Sequence, residues 1–288
     1  MSQSESASES RLSDLYDNLS RYSYLLNRIK GSDSLTMHKI LHIPEESQHL
    51  YNERDRTYYL DDLVLKETDL PENPMVLDAG CGFGGSIFRW YSQKPGIYHG
   101  FTLSKYQQKI ATGEAQRLGI SQSCQFYLKS YSEPTDIKYH AVVAIESLIH
   151  SQDLAAVIGN FTRSLLPNGK LVIVDDMALD EGIRQTKEFE LLRDYWFLSD
   201  LPSGSYYTTL LERSNLKILS RLDLTPQLYF PSEQSLQKRM KRAAALIRIT
   251  PIGSMRTFLR THLGGFALQK LYHNGKMKYQ LIVAEKQG

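Results

Sequence analysis

A glycine-rich turn that joins an apolar run to a helix-forming segment constrains the fold of this chain most. The run Met75–Asp78 is short and apolar and ends in a carboxylate, and Gly80, Gly82 and Gly84 follow it at alternate positions. Glycine lets a backbone turn sharply and approach a ligand closely. The first turn of the helix that follows offers free N–H groups at its positive dipole end. The pattern therefore predicts a ligand-binding turn between a strand and a helix.

The spacing of this turn separates it from a dinucleotide site. A pyrophosphate-binding turn has the spacing G-x-G-x-x-G, whereas this chain has G-x-G-x-G with Asp78 two residues before the first glycine. The arrangement suits a nucleoside that carries an amino-acid tail, whose ammonium would meet the carboxylate of Asp78. The alternative is an ordinary glycine-rich turn that binds nothing.

Seven segments have the pattern of buried strands, and predicted helices alternate with the first five. The predicted strands are Met75–Asp78, Ile97–Leu103, Cys124–Leu128, Ala141–Ile145, Lys170–Asp175, Lys217–Leu222 and Tyr279–Ala284. The predicted helices among them are Phe83–Ser92, Ser104–Leu118, Leu154–Leu166 and Glu181–Leu198. Such alternation predicts an α/β fold built on a parallel sheet that is covered on both faces.

The remaining segments predict additions at both ends of this fold. Residues 1–10 are polar and rich in serine, and we expect a disordered tail. Residues 11–70 are predicted to form a helical N-terminal cover, with a second helix near His49–Lys66. Residues 71–288 would form the main domain, in which residues of about 226–274 make a helical insertion before the last strand. An insertion of this length usually forms a lid or a binding wall.

Basic residues are concentrated in the late part of the chain. The segment Gln234–Ala284 has ten Lys and Arg and no Asp or Glu, and the rest of the chain has 24 basic and 32 acidic side chains. This split suggests contact with something anionic, a substrate or a membrane surface; a solvated basic helix face is the alternative. A formal net charge of only +2, with no nucleic-acid module, argues against nucleic acid as a partner. Two cysteines and a polar N-terminus fit a cytoplasmic protein.

Further candidates for cofactor binding follow the second predicted strand. Many nucleoside sites have an acid there for the ribose, but this chain has no carboxylate at that position. Thr102, Ser104 and Gln107 are expected to contact the ribose and the amino-acid tail instead. Capping of the next helix is the alternative for Thr102 and Ser104.

A candidate catalytic acid follows the fourth predicted strand. Glu146 comes directly after the apolar run Ala141–Ile145, and open α/β sheets bind ligands at the carboxyl ends of their strands. A carboxylate there would stabilise a substrate cation or remove its proton, and His150, one turn further on, would assist. A solvated acid that caps the next helix is the alternative.

Three elements together resemble a known group of enzymes. Asp78–Gly85, Gly100–Ser104 with Gln107, and Glu146–Ser147 with His150 are similar to the sterol, tocopherol and isoprenyl-diphosphate C-methyltransferases and their cyclopropane-synthase relatives. The resemblance implies a Rossmann-like seven-stranded sheet, S-adenosylmethionine as methyl donor and the cation-handling role of Glu146. It also implies cofactor contacts by Leu103, Ser130 and Tyr131.

Within this group, local strings resemble the enzymes that methylate geranyl and related isoprenyl diphosphates. These strings are Leu222–Pro226, Gly275–Glu285 and Asp33–Leu35 with His38. The likeness implies an isoprenoid or anionic small-molecule substrate. Its implied substrate contacts are His38, Tyr51 and Trp196. If the substrate is a diphosphate it also implies Mg²⁺, held with the help of Asn27 and Glu53.

The resemblance thus implies a methyltransferase that acts at carbon on an isoprenoid alkene, with Glu146 and His150 as catalytic residues, in terpenoid or other secondary metabolism. Three alternatives stay open: N- or O-methylation of a natural product, non-catalytic binding of the cofactor or its product, and cyclopropane-lipid synthesis. We also expect a homo-oligomer and peripheral contact with a membrane.

Overall fold

The computed structural model describes residues 13, 16–17, 19–22, 24–25, 34–53, 55–198 and 200–288. Its centre is one sheet of seven strands in the order β3-β2-β1-β4-β5-β7-β6. The strands are β1 (Met75–Ala79), β2 (Ile97–Thr102), β3 (Cys124–Leu128), β4 (Tyr139–Ile145), β5 (Leu165–Ala178), β6 (Leu216–Asp223) and β7 (Met277–Lys286). The first five are parallel, and β7 runs antiparallel between β5 and β6. All seven predicted strands and the Rossmann-like fold are confirmed.

Eight α-helices accompany the strands in the described part of the chain. They are α1 (Tyr59–Thr68), α2 (Gly85–Gln93), α3 (Lys105–Arg117), α4 (Leu154–Ser164), α5 (Lys187–Trp196), α6 (Gly204–Arg213), α7 (Glu233–Ile249) and α8 (Gly253–His273). The helix expected near His49–Lys66 begins later, with the 3-10 turn Asp55–Tyr58 that leads into α1. No helix in these described ranges is long and apolar enough to cross a membrane.

The sheet is buried on both faces because its central strands are apolar throughout. In β4, Val143 faces the helices α1, α2 and α8, while Val142 and Ala144 face α4 and α6. A strand covered on both sides needs this continuous apolar pattern, which is why the sequence marks it so clearly. In β5 the pairing with β4 shifts near Asn168, whose φ is 60°, so this long strand contains a bulge.

Among the described residues, the predicted helical cover contains both helical and irregular segments. The described residues between Ser13 and Leu25 are helical, but residues 34–43 form an irregular segment, here called the strap. The strap crosses the glycine-rich turn so closely that a Cβ on Gly85 would lie 2.7 Å from the backbone of Leu35. Its far end pairs with the chain after β6, where the His42 N–H donates to the Gln227 carbonyl at 2.7 Å. The predicted disordered tail, residues 1–10, lies outside the described residues.

The predicted insertion before the last strand is a pair of helices. α7 and α8 lie between β6 and β7, pack against each other, and α8 also packs against α5. Trp196 at the end of α5 is held there, because its indole N–H donates to the Thr261 carbonyl at 2.8 Å. The insertion thereby reaches the carboxyl edge of the parallel strands.

Candidate active site

A cavity of about 250 Å³ lies at the carboxyl ends of β1, β2 and β4. The sheet edge forms its floor, and the strap, the N-terminal helical residues and α8 close it. Lining residues that were predicted from the sequence are Asp78, Gly80, Gly82, Thr102, Leu103, Gln107, Tyr131, Glu146, His150, His38 and Trp196. The structure thus brings most of the predicted site together.

The glycine-rich turn has the backbone that its sequence predicts. Gly80, Gly82 and Gly84 have φ angles of 104°, 54° and 81°, a region that residues with a Cβ rarely adopt. A Cβ at Gly80 would also lie 2.5 Å from the Ser147 Cβ. Gly80 and Gly82 line the cavity, whereas Gly84 packs against the ring of Phe126 and does not.

Asp78 is a buried carboxylate at the cavity wall. It is 3% exposed, and its carboxylate accepts no hydrogen bond from any described residue. Burial and the nearby Asp61 raise the pKa of Asp78 to about 8, although His38 opposes the rise. Because a buried carboxylate needs a donor or a cation, this side chain fits the ammonium of an amino-acid tail, and S-adenosylmethionine has such a tail.

The candidates at the end of β2 and at the start of α3 mainly form hydrogen bonds with each other and with the N-terminal helical residues. Thr102 donates to the Gln107 side-chain oxygen at 2.7 Å, and the Gln107 amide donates to the Ser20 hydroxyl at 2.8 Å. Ser104 is the N-cap of α3, where it accepts from the Gln107 N–H at 3.1 Å, and it does not line the cavity. Ser104 therefore caps the helix, which was the alternative to its predicted role in cofactor binding.

The two candidates after β3 differ in position. Tyr131 lines the cavity, and its hydroxyl donates to the Ser147 carbonyl at 2.7 Å. Ser130 is buried but lies outside the lining, and its hydroxyl accepts from the Ser132 N–H at 3.2 Å. Only Tyr131 is therefore placed to touch a ligand in this conformation.

Glu146 sits in a constrained position at the end of β4. Its φ is 51°, a conformation that costs a residue with a Cβ about 1–2 kcal/mol, and such strain is concentrated at functional sites. Its Oε1 accepts from the Lys39 backbone N–H at 2.8 Å and from the Tyr279 hydroxyl at 2.7 Å. Its Oε2 accepts no hydrogen bond from the residues that the structure describes. One oxygen is thus anchored while the other is available.

Lys39 joins Glu146 to a second carboxylate that was not predicted. Its ammonium lies 2.9 Å from Asp176 Oδ2 and 3.4 Å from Glu146 Oε1, and the Tyr272 hydroxyl also contacts Asp176. Burial alone would raise the pKa of Glu146, but the Lys39 ammonium, together with the Lys39 N–H, the charge of His38 and the Tyr279 hydroxyl, holds that pKa below its ordinary value. Asp176 is the second of two carboxylates after the apolar stretch of β5, so the criterion that identified Glu146 would have pointed to its neighbour Asp175.

His38, the neighbour of Lys39 in the strap, pairs with a different carboxylate, that of Asp61. Its Nε2 lies 3.1 Å from Asp61 Oδ1, and its Nδ1 lies 3.0 Å from the Lys39 carbonyl oxygen. Burial works against a charge on this ring, but Asp61 overcomes it and raises the pKa of His38 to about 9. A protonated His38 therefore neutralises Asp61, and the pair anchors the strap to α1.

Unlike His38, the buried His150 has a lowered pKa and is neutral. Burial lowers the pKa of His150 to about 4, against a hydrogen bond to the Trp196 backbone. Its Nδ1 is buried and has no hydrogen-bond partner within the described residues. The ring of Tyr16 packs edge-on against it, with centroids 5.5 Å apart. His150 is thus a neutral acceptor at the cavity wall.

The remaining candidates lie away from the cavity. Tyr51 packs against Tyr59 with ring centroids 5.6 Å apart and does not line the cavity. Glu53 is exposed on a turn, and Asn27 lies outside the described residues. No group of three or more His, Cys, Asp or Glu side chains in the described ranges could hold a metal ion.

The sheet order, the glycine-rich turn and the cavity at the carboxyl edge define a Rossmann-like methyltransferase fold. A family described as a methyltransferase domain matches residues 51–221, more than half of the chain, and the chain belongs to that family. It is accordingly an S-adenosylmethionine-dependent methyltransferase.

Individual relatives are similar at modest identity. An O-methyltransferase of Aspergillus nomiae is 26% identical over 52% of this chain and 67% of its own length. A sterol 4-C-methyltransferase of Caenorhabditis elegans is 23% identical over 74% of this chain and 70% of its own. A solved geranyl diphosphate methyltransferase, in complex with GPP and sinefungin, has a TM-score of 0.74 and 19% identity and covers 97% of this chain and 99% of its own. The chain spans less than two thirds of several other curated relatives.

Proposed function

We propose that this enzyme methylates an isoprenoid alkene at carbon, and that Glu146 stabilises the resulting cation and accepts its proton. The observation that carries the proposal is the geometry of Glu146, which has a strained backbone, one anchored oxygen and one available oxygen at the cavity wall. S-adenosylmethionine supplies an electrophilic methyl group, and Asp78, Gly80 and Gly82 are the residues we expect to hold it.

The charge of the cavity supports a cationic intermediate in the substrate. Methylation of one alkene carbon leaves a positive charge on its neighbour, and loss of an adjacent proton forms the new double bond. Glu146 and Asp176 share the single ammonium of Lys39, so this group has a net charge of −1 when both acids are ionised. A fixed negative charge in a water-poor site stabilises a developing cation strongly, and Glu146 Oε2 would take the proton.

The same charges favour an uncharged isoprenoid over a diphosphate. The described cavity lining contains no arginine, and a diphosphate is recognised best by unpaired arginine and lysine. Lys39 is paired with two carboxylates and His38 with Asp61, so Lys129, which donates to the Pro134 carbonyl at 3.1 Å, is the one lysine of the described lining without a carboxylate partner, too little positive charge for a diphosphate. The proposed substrate is therefore a terpenoid alkene without a diphosphate.

A second candidate function is O-methylation of a hydroxyl group. It is favoured by His150, whose neutral, buried Nδ1 lacks a partner among the described residues and could accept the hydrogen of a phenol. The similarity to the O-methyltransferase of Aspergillus nomiae also supports O-methylation as a candidate function.

The two functions can be separated with a panel of acceptors. The protein would be incubated with S-adenosylmethionine labelled in its methyl group and, in separate reactions, a neutral terpenoid alkene, a prenyl diphosphate with and without Mg²⁺, and a phenol. Mass spectrometry and NMR would locate the label. We expect a new C–CH₃ bond in the neutral alkene. Label found only on phenolic oxygen, or only on the diphosphate in the presence of Mg²⁺, would refute the proposal.

A further inference from the structure

An apolar corner projects from the surface where α7 meets α8. Ile249, Ile252 and Leu246 are 75%, 61% and 46% exposed. The corner is nevertheless held in place, because the Arg256 guanidinium donates to the Thr250 carbonyl at 2.8 and 3.1 Å. Large aliphatic side chains grouped on an ordered surface usually mark a contact site.

Exposed basic residues lie along the helix that leads to this corner. They are Lys238, Arg239, Lys241, Arg242 and Arg248, all on α7. None of the five forms an ion pair or side-chain hydrogen bond with another described residue. Lys238, Arg242, Leu246 and Ile249 follow the spacing i, i+4, i+8 and i+11, which places them on one face of the helix. That face is basic in its first half and apolar at its end.

We propose that the corner between α7 and α8 docks on an anionic lipid bilayer. Leu246, Ile249 and Ile252 would insert between the headgroups, and the basic residues of α7 would contact the anionic lipids. Apolar side chains beside a cluster of Lys and Arg are the features by which helices bind such interfaces. The absence of any Asp or Glu from residue 234 to 284 removes repulsion along the whole segment.

Docking at this corner would also bring the cavity close to the lipid. Thr261 lines the cavity, and it lies on α8 eight residues after Gly253, a distance of about 12 Å at the helical rise per residue. Tyr22 of the N-terminal helical residues donates to Ser254 at 3.2 Å and packs on Phe258. A lipophilic substrate dissolved in the bilayer would therefore be near the elements that close the cavity. The docking itself does not depend on which acceptor is methylated.

Vesicle co-sedimentation tests the proposal with the full-length protein. Vesicles of phosphatidylcholine alone would be compared with vesicles that also contain phosphatidylserine, at low and high salt. We expect binding to the anionic vesicles only, weakened by salt because the Debye length shrinks. Lys238→Gln with Arg242→Gln should lower the partition coefficient about 20-fold or more, and Ile249→Ser with Ile252→Ser about 10-fold.

Matched controls separate docking from general charge effects. Lys105 and Lys109 are exposed and have the same i, i+4 spacing on α3, so Lys105→Gln with Lys109→Gln should bind vesicles like the wild type. Leu128→Ser is the corresponding apolar control, because Leu128 is also exposed. Wild-type binding by the corner variants, or no binding to anionic vesicles at low salt, would overturn the proposal. Binding of a purified acyl carrier protein through the same residues, with none to vesicles, would overturn it in favour of an acidic protein partner.

Discussion

The buried carboxyl group of Asp78 predicts that cofactor affinity depends on pH. Its pKa in the unliganded protein is about 8, so about 1% of this group is ionised at pH 6 and about 10% at pH 7. The ammonium of the ligand requires the ionised form, and binding must therefore release a proton below pH 8. By linkage, affinity rises with pH until the carboxyl of the free protein is ionised.

The expected size of the effect follows from that pKa. The affinity for S-adenosylhomocysteine should rise about tenfold between pH 6 and pH 7, which corresponds to about 1.4 kcal/mol. His38 stays protonated across this range, because its pKa is about 9, and so does the ligand's amino group. Isothermal titration calorimetry in two buffers of different ionisation enthalpy would give both the affinity and the number of protons released, which should be close to one at pH 6.

Substitution of Asp78 provides the decisive comparison. Asp78→Asn should abolish the pH dependence and weaken binding at pH 7.5. The same change should also raise the melting temperature of the unliganded protein at pH 8. Folding raises the pKa of the Asp78 carboxyl, so the protonated form stabilises the fold, and this stabilisation is lost as the pH rises through the folded-state pKa. Asparagine has no such loss because it does not ionise. Glu53→Gln, at an exposed site, is the control. A flat affinity profile in the wild type, or an unchanged slope in Asp78→Asn, would refute the reasoning.

Three further substitutions test the proposed catalytic acid, the strap and the turn. Glu146→Gln should lower turnover about 10²- to 10⁴-fold with unchanged calorimetric affinity for S-adenosylhomocysteine; undiminished turnover would contradict its role. Lys39→Met removes the ammonium that keeps the pKa of Glu146 low, so the acidic limb of the pH–rate profile should move to higher pH, and an unmoved limb would count against the pairing. Gly80→Ala would place a Cβ 2.5 Å from that of Ser147 at a φ of 104° and should abolish cofactor binding and lower the melting temperature. By contrast, Gly113→Ala, in α3 with nothing within 4 Å, should leave the melting temperature unchanged or raise it.

The parts of the fold that the sequence predicts best are those in which burial alone determines the residue pattern. β4 is apolar because both of its faces are covered, and the turn after β1 has alternate glycines because its backbone has positive φ angles. Both signals are local, so they can be read without knowing what the segments contact. Glu146 and Asp78 were found for the same reason, since each carboxylate directly follows or ends an apolar strand.

The path of the strap could not be predicted from local sequence patterns. Its residues have neither helical nor alternating periodicity, and its path depends on partners that are distant in sequence. The Lys39 N–H meets a carboxylate 107 residues away, and Leu41 forms a bridge with Leu228. Tyr272 and Tyr279 reach the site only because the helical insertion returns the chain to β7 between β5 and β6. Contacts of this kind are set by the assembled fold and leave no local pattern.

The strap also changes how Glu146 must be understood. If residues 34–43 moved away, Glu146 and Asp176 would lose the Lys39 ammonium that contacts both of them. Repulsion between the two carboxylates would then act on Glu146 without the opposing ammonium and raise its pKa, so the acid would take up a proton at a higher pH than it does with the strap in place. A protonated Glu146 can neither stabilise a cation nor accept a proton. The Lys39 ammonium of the strap is therefore part of what keeps the proposed catalytic acid, Glu146, ionised.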